Sequence, residues 1–175
     1  MSTPNASAND DPSLGISGWH VSRVAETGST NADLLAAAAS GAPHRSVLVT
    51  DHQTAGRGRL DRKWDAPPGQ NLLVSVLFRT GFDPTTSHSL TQLAAVAAAR
   101  TAEQLVGITP ELKWPNDLLL NGCKLAGILA QSATTGSDRY VVVGMGLNLG
   151  WAPDGAAKLD GVTPRSEERR VGKEC

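Results

Sequence analysis

The chain has 175 residues, 40% of them hydrophobic and 19% charged, with a formal net charge of −1 at pH 7. That length supports one domain with its own core, and the near-neutral balance argues against a partner held by broad phosphate neutralisation. No apolar run reaches the roughly 18 to 20 residues of a membrane helix, and Cys123 and Cys175 form neither a disulfide framework nor a metal-ligand spacing with His20, His44, His52 or His88, so a cytoplasmic location is expected.

Residues 1–13 are polar and rich in Asn, Ser, Asp and Pro. They lack the basic start and apolar run of a signal peptide and read as a disordered leader, ahead of a domain spanning 14–164. Thr30-Asn31-Ala32-Asp33 has the form of a capping box before the alanine-rich run Leu34 to Ala39, which Gly41 and Pro43 close. The pattern predicts a short helix whose start presents Ser29, Thr30 and Asn31, with free backbone N–H groups that favour an anion or a polar ligand atom. Val47 to Thr50 predicts a strand. Next comes Gln53-Thr54-Ala55-Gly56-Arg57-Gly58-Arg59-Leu60-Asp61-Arg62-Lys63-Trp64, four cations and two glycines in twelve positions. Such a loop is built to hold an anion: the cations supply the donors, and the glycines let backbone approach a ligand.

Leu72 to Phe78 is nearly all apolar and predicts a central strand. Leu90, Leu93, Ala94, Ala97, Thr101 and Leu105 recur at helical spacing and predict a helix over 89–106 that packs on the sheet by that face. Asn121-Gly122 signals a two-residue hairpin between Leu118-Leu119-Leu120 and Cys123 to Gln131, because both turn positions take positive φ. A last strand runs from Arg139 to Leu149. Hairpins combined with helical excursions give an α+β fold, a mixed and largely antiparallel sheet with helices packed on one face. Residues 165–175 turn to a charged run without apolar period; they read as a non-native tail, which would leave the domain incomplete at its C-terminus.

Each chemical feature has a plainer reading. The basic loop could be a solvated turn. Lys113-Trp114-Pro115-Asn116-Asp117 could be a Pro-Asn-Asp turn, although that leaves Lys113 and Trp114 unexplained. Lys124, two residues past the hairpin turn and followed by the apolar run Leu125 to Leu129, could be a strand-edge charge that blocks aggregation. Gly144-Met145-Gly146-Leu147-Asn148 fails as a dinucleotide fingerprint, since Trp151-Ala152-Pro153 follows where a helix should begin.

Together the segments resemble the biotin protein ligase family. The likeness rests on Thr27-Gly28-Ser29-Thr30-Asn31, Gln53 with Gly56 to Arg59 and Arg62-Lys63-Trp64, Lys113 to Asp117, Lys124 to Leu129, and Gly144 to Asn148, in that order. The resemblance implies an ATP-dependent enzyme that activates biotin as biotinyl-5′-AMP and passes it to a lysine of a biotin carboxyl carrier domain, such as that of acetyl-CoA carboxylase. It implies biotin and ATP as substrates, with Mg²⁺ sharing the triphosphate charge. It also implies Lys124 and Arg59 as catalytic, and Ser29, Thr30, Asn31, Gln53, Arg57, Gly58, Arg59 and Lys124 as biotin-binding. Arg62, Lys113, Asn116, Asp117 and Asn148 fall to ATP, and Trp64 and Trp114 to walling the site. No metal site follows from residue spacing. The short stretch before Trp19 leaves no room for a helix-turn-helix domain, so neither DNA binding nor a membrane partner is expected; whether the chain forms a homodimer stays open. Two alternatives remain: a lipoate ligase or octanoyl transferase of related fold, and a non-catalytic phosphate- or nucleic-acid-binding module.

Overall fold

Alternation along Asp138–Leu147 sets the architecture: Tyr140, Val142, Gly144 and Gly146 point one way, Val141, Val143, Met145 and Leu147 the other. A strand apolar on both sides has to be covered on both. In the computed structural model, which describes residues 9–10, 17–79 and 87–159, this strand lies inside an eight-stranded sheet. The elements are β1 (Asn9–Asp10), β2 (His20–Thr27), α1 (Thr30–Ala39), β3 (Ser46–Gln53), β4 (Leu72–Arg79), α2 (Ser87–Val106), β5 (Glu111–Lys113), β6 (Asp117–Leu120), β7 (Cys123–Thr135) and β8 (Asp138–Leu147). Spatial order is β1-β2-β3-β4-β8-β7-β6-β5. Only β2 and β3 pair in parallel, with α1 as their crossover; the other neighbours are antiparallel.

The α+β class and mixed sheet agree with the sequence, but the helices do not share a face. Leu34 and Ala38 of α1 pack with Leu48, Leu77, Tyr140 and Val142. Ala95 of α2 joins Leu118, Leu125, Ala126, Ile128, Val141, Val143 and Leu147 on the opposite side. The period-2 strand pattern requires this: neighbouring apolar residues on β8 point in opposite directions, and one helix layer cannot bury both sets. Leu77 is fully buried, a burial that stabilises the fold by about 1.5–3 kcal/mol.

The contact face of α2 also differs from expectation. Thr91, Ala95 and Ala102 are buried, whereas Leu93 is 61% and Leu105 77% exposed. Alanines let the helix backbone approach the strands closely, so the small side chains take the contact. Leu93 and Leu105 instead border an apolar groove of about 910 Å³ between α2 and β4. Among the described residues no helix is long and apolar enough to cross a membrane.

Other departures are local. Two residues of the expected leader form β1, which pairs Asn9 with Arg23 and Asp10 with Ser22. The charged run 165–175 lies outside the described residues.

One side chain fixes the helix that the site uses. Arg79 donates from Nη2 to the Ala38 carbonyl and from Nε to the Ala42 carbonyl, and pairs through Nη1 with Asp138. A cation thus meets the orphan carbonyls at the C-terminus of α1 and holds its N-terminus against the middle of the sheet.

Candidate active site

A bulge aims the first functional side chain. Asn121 (φ 54°) and Gly122 (φ 80°) make the tight turn between β6 and β7, and pairing begins in simple register with Leu120↔Cys123 and Leu119↔Lys124. It then slips by one residue to Leu118↔Ala126 and Asp117↔Gly127, which leaves Leu125 as the extra residue of the longer strand. Cross-strand partners share a face, so Lys124 and Gly127, three positions apart, both join Asp117 on the α1 side. Leu125 and Ala126 go together into the α2 core, each 0% exposed. Lys124 Nζ lies 2.8 Å from Asp117 Oδ1 and 5.7 Å from the centre of the Trp64 ring. The carboxylate oxygen makes this ion-pair contact but no well-aligned hydrogen bond.

Three glycines make the floor. Gly127 and Gly146 are register partners on β7 and β8, and the Trp64 indole lies on them. A Cβ at Gly146 would fall 2.2 Å from Trp64 Cε2, and one at Gly127 would fall 3.0 Å from Cζ3. At Gly144 it would fall 2.1 Å from Asn31 Oδ1. These glycines therefore give close approach, and their place in the sequence is explained by what rests on the sheet. Trp64 Nε1 is buried without a hydrogen-bond partner among the described residues.

The basic loop closes on itself above this floor. Trp64 N donates to Gly56 O at 3.0 Å, Gly58 N to Arg62 O at 2.6 Å, and Arg57 and Lys63 form an isolated antiparallel bridge. Gly56 is sterically required, because its Cβ would meet Trp64 O at 2.3 Å. Gly58 is not: its φ is −108°, and the nearest atom to its Cβ is 3.5 Å away. Positive φ falls instead on Leu60 and Asp61, both at 57°, at the tip of the loop. Arg59 Nη1 reaches across to Asn116 Oδ1 at 3.3 Å, and Asn116 is itself fixed to Ile128 by Nδ2 to O at 3.1 Å and by Ile128 N to Asn116 O at 2.9 Å.

On the far side stands the start of α1. The expected capping box does not form: Ser29 is the N-cap residue and makes no side-chain cap bond, and Asp33 accepts from the Thr27 hydroxyl. Thr30 turns to the sheet instead, its N and Oγ1 lying 2.9 and 3.0 Å from Gln53 Oε1. Ser29, Thr30 and Asn31 are all buried, at 7%, 3% and 6% exposure. Polar atoms so enclosed need partners, and those of Thr30 and Asn31 find them in Gln53, Ser75, Gln131 and the Leu129 carbonyl.

These parts enclose a cavity of about 480 Å³. Ser29, Thr30, Asn31, Gln53, Arg57 and Gly58 line it from the α1 and loop sides. Arg59, Arg62, Lys113, Asn116, Asp117 and Lys124 line it from the other. Trp64 and Trp114 also border it, the latter 79% exposed at the mouth. Asn148 does not line it. That residue is 2% exposed, accepts from Asn71 at 3.2 Å, and donates to Ala157 O at 3.0 Å and Lys124 O at 3.4 Å, so it props the backbone beneath Lys124.

Sequence reasoning passed over Ser75, Gln131 and the glycine floor. Ser75 had a visible signal, as the one polar residue among Leu72 to Phe78; Gln131 had none, because its value comes from a contact 100 residues away.

A family model described as "Biotin/lipoate A/B protein ligase family" matches residues 24–148. Among curated proteins, the chain is 46% identical over 144 residues to a biotin–[acetyl-CoA-carboxylase] ligase of Mycobacterium tuberculosis, covering 79% of this chain and 53% of that one. It is 40% identical over 144 residues to the ligase of the same name from Paracoccus denitrificans, covering 81% of this chain and 59% of that one. Among solved structures, a biotin protein ligase from Aquifex aeolicus in complex with biotin and ATP matches with a TM-score of 0.66 and 28% identity, over 79% of this chain and 59% of that one. The chain thus spans between half and three-fifths of the length of these relatives.

Proposed function

The chain belongs to the biotin/lipoate A/B protein ligase family, and from that premise we propose that it activates biotin with ATP as biotinyl-5′-AMP and transfers the biotinyl group to a lysine of a biotin carboxyl carrier domain. In the first step a biotin carboxylate oxygen attacks the α-phosphorus of ATP and pyrophosphate leaves. In the second the acceptor amine attacks the mixed anhydride and AMP leaves.

The observation that carries this reading is convergence: Lys124, Arg59 and the start of α1, from three separate parts of the chain, line one cavity. Joining a carboxylate to a triphosphate requires two anions at bonding distance, and the repulsion is relieved by fixed cations whose charge counts most as negative charge builds at phosphorus. Lys124 serves there by trading Asp117 for the ligand oxygens, with Arg59 and Arg62 on the phosphate side and Ser29, Thr30 and Gln53 on the biotin ring. Lys113, Asn116 and Asp117 shape the nucleotide side. The flat face of Trp64 excludes water, which would hydrolyse the anhydride. Asp65 and Asp117 are carboxylates on the cavity, and among the described residues no group of three or more metal ligands gathers. That donor set suits a Mg²⁺ that arrives with the triphosphate and takes most of its ligands from phosphate and water. Use of ATP places the reaction in the cytoplasm, and the acceptor is the carrier domain of a biotin-dependent carboxylase.

The test is pyrophosphate release from ATP. It should require biotin, fail with lipoate in its place, and disappear in Lys124→Ala while the circular dichroism spectrum stays unchanged. Release with lipoate and none with biotin would move the chain to the lipoate branch of the family. A salt-sensitive nucleic-acid shift without pyrophosphate release would favour a binding module.

A further inference from the structure

At Lys124 strand β7 outruns its neighbour. The β7–β8 ladder starts at Ala126↔Leu147, so Lys124 lies beyond its first rung, and there the chain that follows β8 takes the neighbour's place. Ala157 N donates to the Lys124 carbonyl at 2.9 Å, Asn148 Nδ2 approaches the same oxygen at 3.4 Å, and Lys124 forms an isolated parallel bridge with Ala156. We propose that Asn71, which does not line the cavity, is a positioning residue that acts through Asn148 to hold the Lys124 backbone and so the place of its ammonium group. The proposal rests on the reading of Lys124 as the charge at the reacting centre, and extends it to a residue at the foot of β4.

The direction of the bonds carries the argument. Asn71 Oδ1 accepts from Leu149 N at 3.0 Å and from Trp151 N at 3.2 Å. A backbone N–H only donates, so these two contacts fix which end of the Asn71 amide is oxygen. Its Nδ2 is thereby turned to Asn148 Oδ1, to which it donates at 3.2 Å. Asn148 then points its own Nδ2 at two carbonyls that only accept, Ala157 O at 3.0 Å and Lys124 O at 3.4 Å. Both side chains are buried, Asn71 at 8% and Asn148 at 2% exposure, where a reversed amide would set acceptor against acceptor with no water to relieve it. The pair therefore works in one sense: backbone donors after β8 orient Asn71, Asn71 orients Asn148, and Asn148 orients the carbonyl of Lys124. The main chain of Asn148 adds to the hold, its N donating to Leu125 O at 3.0 Å and its O accepting from Leu159 N at 3.1 Å. Lys124 and the bulged Leu125 are both held from Asn148, at the place where the β6–β7 register is broken.

Asn71→Asp keeps the oxygen that Leu149 and Trp151 need and replaces the donor with a second acceptor. The Asn148 amide then has to turn over, and its oxygen meets the Lys124 and Ala157 carbonyls. In biotin-dependent pyrophosphate release by the full chain, kcat should fall about 10- to 100-fold, the scale of a displacement near 1 Å, with the KM for ATP within about twofold of the parent's. On a Lys124→Ala background the same substitution should change the residual single-turnover rate by less than about twofold, because the group it positions is gone. Ala157→Pro removes the other N–H on the Lys124 carbonyl without touching the buried pair, and should lower kcat about tenfold; it carries the test where a melting curve shows that Asn71→Asp does not fold. The positioning role is overturned if folded Asn71→Asp turns over like the parent, if its loss is as large on Lys124→Ala as on the parent, or if Ala157→Pro leaves kcat unchanged. A parent chain that releases no pyrophosphate, or a Lys124→Ala chain that releases it at the parental rate, overturns the functional reading and the positioning role with it. With those two controls as expected, the other failures fall on the positioning role alone.

Discussion

Strands β7 and β8 present two unlike surfaces made from the same backbone. On one side Gly127, Gly144 and Gly146 strip the sheet to its main chain, and Lys124, Trp64 and the polar start of α1 occupy the space. On the other, Ile128, Val141, Val143 and Leu147 are closely packed beneath α2. The first face holds buried polar groups and an indole N–H without a partner among the described residues, features that cost stability and persist where a ligand makes use of them. The second holds only what burial favours. Because strand residues alternate, one register places both, and the bulge at Leu125 is the single point where that register is broken to bring Lys124 to the working face.

Substitutions should therefore separate activity from stability according to which way a side chain points. The largest effect is expected at Lys124→Ala: proposed pyrophosphate release should fall by about 10³-fold, the scale for losing one fixed charge or donor at the reacting centre. Its urea midpoint should stay close to that of the parent, because the side chain is 39% exposed and its partner Asp117 keeps access to the cavity. A large loss of stability with little loss of rate would invert the comparison. Ile128→Ala, one residue beyond Gly127 and on the opposite face, should do the reverse. Chemical unfolding should show about 2–5 kcal/mol of destabilisation, from lost burial plus an unfilled cavity, with turnover preserved while the chain stays folded.

How much of this could be read from the residues depends on the range of the cause. The Asn121-Gly122 turn, the helix over 89–106 and the central strand from Leu72 arise from local propensity and period, and all three stand where expected. β2 escaped notice because His20-Val21-Ser22-Arg23-Val24 is weakly apolar and its burial pattern irregular. The placement of α1 and α2 on opposite faces is a consequence of strand order, which no local pattern records. The cations of the basic loop and Lys113, Asp117 and Lys124 announce a site because charges near apolar strands need a reason. Asn148, equally visible in its motif, lies in a backbone-bonding role under Lys124. Gly144 and Gly146 were legible as glycines but not as floor, since only the side chains resting on them, Asn31 and Trp64, reveal why nothing larger fits.

Smaller effects sharpen the contrast. Gly146→Ala adds one methyl on the working face, where its carbon would meet the Trp64 ring at 2.2 Å. The indole has to slide off its seat and carries the basic loop with it; kcat/KM should drop by about 10- to 100-fold, the scale of a displacement near 1 Å in a reacting site. Stability should fall by about 1–3 kcal/mol, the scale of a methyl forced into a filled site, with no backbone strain added because Gly146 is not among the glycines with positive φ. Unchanged kinetics would mean that Trp64 does not need its seat on the glycines.

The smallest effect belongs to Leu105→Ser on α2. A helix that bound the sheet through its leucines would lose several kcal/mol here, but this side chain is 77% exposed, and buried Ala95 and Ala102 make the contact. The urea midpoint should move by no more than about 0.5 kcal/mol equivalent. A loss above about 2 kcal/mol would show that Leu105 is covered when the chain is in solution, and that the apolar face of β7 and β8 extends its packing through the groove to the outer edge of α2.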